Sequence, residues 1–151
     1  MMEQVCAHIH NYFTRKNGKA LAREAGTFTI EDGTIVLDFL KPGNMFLIRG
    51  SDFNDGIHEY PATDLNDETF DGAIYKMAPD AAFIALCDDI SQWQDKYGKT
   101  VNSPFQSESF AGYSYTKASG TSNRSGTAET ITWQTTFKPR LDQWRKLNEC
   151  L

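Results

Sequence analysis

Between Pro79 and Gly98 the apolar residues Phe83, Leu86, Cys87, Ile90, Trp93 and Tyr97 recur at helical spacing. That spacing lines side chains along one stripe of an α-helix, which must be buried against something. Pro79 suits the first turn, where the N–H that it lacks has no intrahelical acceptor, and Gly98 supplies a natural stop. The stripe is therefore expected to form the centre of the core.

Two further helices are expected, one at each end. From Met2 to Phe13, the residues Val5, Cys6, Ile9, Tyr12 and Phe13 share one face, Glu3, Gln4, His10 and Asn11 share the other, and Asn17-Gly18 reads as the stop. Near the C-terminus, Trp133, Phe137, Leu141, Trp144, Leu147 and Leu151 keep helical spacing across Pro139. Either the helix begins at the proline, or it begins at Trp133 with Thr132 as N-cap and kinks there. The stripe does not change phase at Pro139, which favours the longer, kinked helix.

The stretch from Thr27 to Tyr60 changes character. Its β-branched and aromatic residues are cut by the turn signals "EDG", "KPGN" and "NDG", as in a small antiparallel meander. Ile35 with Leu37, and Phe46 with Ile48, are expected to point to one side. "AIYKMAP" supplies one more strand before Pro79. The fold class is thus α+β, with three helices packed on a small antiparallel β-meander and a long Ser/Gly-rich loop before the C-terminal helix. At 151 residues the chain reads as a single domain, 1–151, with 27–60 as a β-rich insertion and 103–130 as an extended or mobile arm.

Charge and motif content exclude several kinds of chemistry. The net charge is -5, from 20 acidic against 15 basic residues with no dense Lys/Arg block, which disfavours sequence-specific nucleic-acid binding. Cys6, Cys87 and Cys150 have neither disulfide-framework nor zinc spacing, and a reducing cytoplasm suits them. No apolar run resembles a signal sequence or a membrane span. His8 and His10 fall on nearly opposite faces of a helix, and His58 reads as a solvent-facing strand residue, so no metal site is expected. "SDFNDG" and "TDLNDETFDG" lack the ligand spacing of a calcium loop and read as turns whose Asp and Asn side chains cap backbone. Asp88 and Asp89 diverge by about 100° on a helix and are both expected in solvent rather than as a catalytic pair. With no nucleophile elbow and no phosphate loop, the expectation is a non-enzymatic chain with no catalytic residues, metal or cofactor.

One segment stands apart, Ser103 to Thr130. Its first half carries Phe105, Phe110, Tyr113 and Tyr115, and its second half, "KASGTSNRSGTAET", is too polar to offset the entropy of ordering. The aromatics fit either an edge strand over the meander or an arm that docks on a neighbour. Tyr and Phe suit docking, since they bring large contact area with few rotors to freeze.

Read together, "GSDFNDGIHEYP", "FDGAIYKMAPDAAFIAL", "WQDKYG", "SPFQSESFAGYSYTK" and "TWQTTFKPRLDQWRK" resemble small structural proteins of tailed bacteriophages and prophages, similar to the head-to-tail connector (adaptor) family. The resemblance runs from the first helix to Trp144. It implies a virion protein made in the bacterial host cytoplasm that assembles as a ring, a homo-oligomer beneath the portal in the neck, with portal and neck or tail proteins as partners and no membrane. An extended segment would reach the portal or the next copy. Phe105, Phe110, Tyr113 and Tyr115 are the candidate interaction residues, with Trp144 and Arg145 as a second patch. A negatively charged lumen would keep passing DNA from sticking. The β-rich middle departs from the simplest all-helical adaptors, leaving head closure and tail completion as further neck positions.

Two rival expectations follow from other features. A monomeric module for a peptide or carbohydrate would use strand aromatics such as Phe53 and Tyr60. A phage enzyme is disfavoured by the missing motifs.

Overall fold

The computed structural model describes residues 1–98, 107–110, 113–116 and 131–147. The chain divides into two compact units, one of Met2–Asp80 with Lys146–Leu151, the other of Ala81–Arg145 with Met1. Helices and antiparallel sheets mix, so the class is α+β.

The first unit opens with α1, Met2–Ile9, which buries Val5, Cys6 and Ile9. The helix stops four residues before the expected Phe13. His10 takes φ 55, and the amides of His10 and Asn11 return to the carbonyls of Ala7 and Cys6 at 3.2 and 3.0 Å. This is a Schellman closure with histidine in the left-handed position usually held by glycine. Asn17-Gly18, expected as the helix stop, instead turns a two-residue hairpin between β1 (Arg15–Lys16) and β2 (Lys19–Ala20), with φ 50 and 76. Both central residues are left-handed, as a type I′ turn requires.

A four-stranded antiparallel sheet follows: β3 (Arg23–Ile30), β4 (Met45–Arg49), β5 (Gly56–Glu59) and β6 (Glu68–Met77), in the order β3-β6-β4-β5. The expected meander is therefore interrupted, because β6, the strand holding "AIYKM", inserts between β3 and β4. β4 becomes central and buries Phe46, Leu47 and Ile48 on both faces. The stretch "TIVLDFL" is not a strand. After the type I′ turn at Asp32-Gly33, it makes one isolated bridge, Glu31 with Thr34, and leaves the sheet. Its alternation nonetheless survives: Ile35 and Leu37 are buried while Val36 faces solvent. Ile30, Ile35, Leu37, Leu40, Phe46, Ile48, Phe70 and Ile74 form one core with Phe28 and Tyr60 packed against it. Truncating a fully buried member such as Ile48 to Ala costs about 2–5 kcal/mol.

The second unit is built on α2, Ala81–Tyr97, which buries the six residues of the expected stripe. The Gly98 amide closes it onto the Gln94 carbonyl at 2.7 Å. Thr132 is the N-cap of α3, Trp133–Thr136, in a capping box with Thr135. The helix breaks at Phe137 and resumes as α4, Lys138–Leu141, with Pro139 in its first turn, then tightens into a 3₁₀ turn over Asp142–Trp144. This is the longer, kinked arrangement. It is counted as two short helices, so the described residues hold four α-helices rather than three. The Trp93 ring meets Phe137 edge-on at 6.2 Å and Tyr97 at 5.7 Å.

In the same unit, β7 (Ser107–Phe110) and β8 (Tyr113–Thr116) pair antiparallel as a separate two-stranded sheet.

Candidate functional site

The chain's candidate site residues fall at three places. The register of β7 and β8 sets Phe110 opposite Tyr113 and Glu108 opposite Tyr115. Directly opposed positions of a ladder share a face, so by register Glu108, Phe110, Tyr113 and Tyr115 hold positions on one face of the ladder and Ser107, Ser109, Ser114 and Thr116 positions on the other. Among the described residues this hairpin joins no other strand. Phe105 and the polar run 117–130 lie outside the described residues.

Trp144 and Arg145 sit at the end of the 3₁₀ turn. The Trp144 ring is half-buried, edge-on to Phe83 with centroids 5.5 Å apart. Arg145 donates from Nε to Asp142 at 3.2 Å, and Lys138 donates to the same carboxylate at 2.7 Å. The Lys138 hydrogen bond, with that of Arg145, holds the Asp142 carboxyl below its ordinary value despite some loss of hydration.

The third place is the loop between β4 and β5, where sequence reasoning saw turn composition and little else. Asn54 is 4% exposed, and its amide pairs with backbone as another strand would. Its Nδ2 donates to the Asn66 carbonyl at 2.9 Å, and its Oδ1 accepts from the Asn66 amide at 2.7 Å. Glu68 accepts from the Ser51 hydroxyl, Asn54 Nδ2 and the Asp52 amide. Burial pushes the Glu68 carboxyl up, and the hydrogen bonds from Ser51, Asn54 and the backbone at Asp52 and Phe53 outweigh it, leaving the group below its ordinary range. Asp55 accepts from the Ser51 amide at 3.0 Å and Asp67 from the Gly33 amide at 2.8 Å. The acidic turns thus cap backbone, as their composition implies.

This loop presents Phe53, 70% exposed. Phe53 lies in the loop rather than on a strand, and Tyr60 follows β5 and packs edge-on against Phe46 at 6.3 Å. Tyr60 also borders a cleft of about 560 Å³ shared with His58, Glu59, Pro61, Thr63 and Asp64.

His58 is half-buried rather than solvent-facing, its ring 5.6 Å from Phe46 and its Nε2 2.8 Å from the Asn54 carbonyl. Asp89, expected in solvent, is half-buried and paired with Arg140. No three His, Cys, Asp or Glu residues among those described converge as a metal site. No helix among them is long and apolar enough to cross a membrane. Cys87 is buried, and that burial, with the neighbouring Asp88 charge, raises its thiol to about 12, far from the range of a nucleophile.

No protein-family model matches the chain, and no curated protein or solved structure is significantly similar to it.

Proposed function

We propose that this chain is a non-enzymatic morphogenesis protein of tailed phages, a head-to-tail connector subunit that works by assembling as a ring with copies of itself beneath the portal. The observation that carries this reading is the β7–β8 hairpin, a two-stranded ladder that joins no other strand among the described residues and whose register puts the positions of Phe110, Tyr113 and Tyr115, with Glu108, on a single face. A lone hairpin is marginal in water and gains stability when a neighbour covers it. That is the behaviour of an arm whose aromatics serve another subunit. The test is the triple substitution Phe110→Ser, Tyr113→Ser and Tyr115→Ser. Co-sedimentation with portal-bearing heads is expected to be lost while the melting temperature stays within a few degrees. Undiminished co-sedimentation overturns the reading.

A second reading, a monomeric peptide- or carbohydrate-binding module, is favoured by exposed Phe53 and by the cleft beside Tyr60. It requires a chain that stays monomeric, binds a member of a glycan or peptide array, and loses that binding on Phe53→Ala or Tyr60→Ala.

A further inference from the structure

A sheet has two edges, and here they are unequal. β5 closes one side with four residues, whereas β3 closes the other with eight, about 27 Å of backbone at normal rise. Among the described residues β3 is hydrogen-bonded on one side alone, to β6, and all its residues except Phe28 and Ile30 are exposed.

The phase of the ladder tells which groups point outward. The Lys76 amide donates to the Ala22 carbonyl at 2.9 Å, which makes that pair a hydrogen-bonded one. In an antiparallel ladder such pairs alternate with non-bonded ones, so Glu24, Gly26, Phe28 and Ile30 bond to β6. Arg23, Ala25, Thr27 and Thr29 then turn their N–H and C=O groups away from the sheet. No backbone bond among the described residues engages them.

Natural sheets blunt an edge of this length with proline, a bulge or an inward charge. β3 has no proline, and its register with β6 runs unbroken from Arg23 to Ile30. Its charges, Arg23 and Glu24, lie at one end. The side chains of Thr27 and Thr29 are engaged with Asp71 and Thr69 across the ladder, which stiffens the strand without covering its edge.

We propose that the outer edge of β3 is where a second copy of this chain adds a strand, and that the strand comes from that copy's β7–β8 hairpin. This deepens the ring reading and rests on it. The hairpin is the fitting occupant because an unpaired edge is satisfied by another unpaired edge. Among the described residues β7 and β8 each have one and belong to no larger sheet. Adding the hairpin turns a two-stranded ladder and a four-stranded sheet into one continuous sheet across the interface. The contact is heterologous, edge of one copy to hairpin of the next. Such contacts repeat head to tail and close into rings when the rotation permits.

Two measurements on the full chain test this. Ala25→Pro removes an outward N–H and leaves the bonds to β6 in place, and Ala25 is exposed among the described residues. It is expected to weaken self-association about tenfold or more, with little change in melting temperature. Independently of any variant, amide exchange followed from micromolar to millimolar concentration should slow about tenfold or more at Ala25, Thr27 and Thr29, together with residues 107–116. Assembly with those β3 amides still exchanging freely, or assembly unaffected in a folded Ala25→Pro chain, overturns the edge contact while leaving ring formation standing. A chain that remains monomeric at millimolar concentration overturns both. Protection that is present at every concentration, without association, assigns the edge to the chain's own segments and also overturns the proposal.

Discussion

Arg140 donates from Nη1 to Oδ2 of Asp89 at 2.8 Å, joining α4 to α2 across 51 residues of sequence. Each side chain keeps about a third of its surface in water, 35% and 34%, so the pair is screened but not free. Arg140→Met is expected to lower stability by about 1 kcal/mol, a loss that shrinks in molar salt. Urea denaturation of Arg140→Met, Asp89→Asn and the double variant would measure it, and a coupling energy near zero would contradict the assignment.

A tighter constraint holds the sheet. A Cβ on Gly72 would sit 2.1 Å from the Arg49 carbonyl oxygen, an atom of the central strand that cannot swing away. Gly72→Ala is expected to cost about 2 kcal/mol or more through forced separation of β4 and β6. Thermal unfolding would show it as a lowered midpoint, and an unchanged midpoint would mean that the strands part easily.

Acid should loosen the loop around Glu68. Its carboxyl sits below the ordinary value of 4.5 in the folded chain, because the ionised form accepts from Ser51, Asn54 and backbone at Asp52 and Phe53. A depressed folded pKa gives stability that is fully present above 4.5 and drains away as the pH falls through the folded value. Asp142 is lowered too, from 3.8, and contributes stability that is present above that value and lost as the pH falls through its own folded value. Glu68→Gln should therefore flatten, without abolishing, the decline in stability on acidification, followed by denaturant midpoints at several pH values.

Thiol chemistry gives a further check. Cys6 and Cys87 are buried, and Cys87 ionises only near 12. In a Cys150→Ser chain, neither is expected to react with an aromatic disulfide reagent near neutral pH until denaturant is added, when both should appear. Rapid reaction of the folded protein would show that one of them reaches solvent.

Thr132 caps α3 through a reciprocal bond with Thr135. Thr132→Ala is expected to cost about 1 kcal/mol, visible in thermal unfolding, and no loss would mean that Phe137 and Leu141 hold this segment unaided.

How much of this could be read from residue order depends on whether the signal was local. The α2 stripe was legible because periodicity and stop signals lie within one element, and all six of its residues are buried. The Thr132 cap and the Pro139 break were legible for the same reason. Asn17-Gly18 misled because the same dipeptide ends helices and turns hairpins, and only the partner strand decides which. "TIVLDFL" alternates as a strand should, yet β6 takes the place beside β3 that a meander would have given it. That is a choice decided by partners far apart in sequence, from Ile30 with Glu68 to Arg23 with Tyr75. The Asn54 network left almost no trace, since "SDFNDG" reads as a turn with or without Glu68. Phe110, Tyr113 and Tyr115 were singled out by alternation, and the ladder sets Phe110 opposite Tyr113 and Tyr115 opposite Glu108.

Asn54 occupies the place of a missing strand residue, and its amide works as a borrowed peptide bond. Hydrolysis of that amide to a carboxylate would exchange the donor facing Glu68 for a second negative oxygen and turn the staple between two loops into a repulsion. Chemical ageing of one buried side chain would then free the loop that carries Phe53, so the loop's lifetime is tied to how well the Asn54 amide carbon is shielded from attack, with ammonia as the group that leaves.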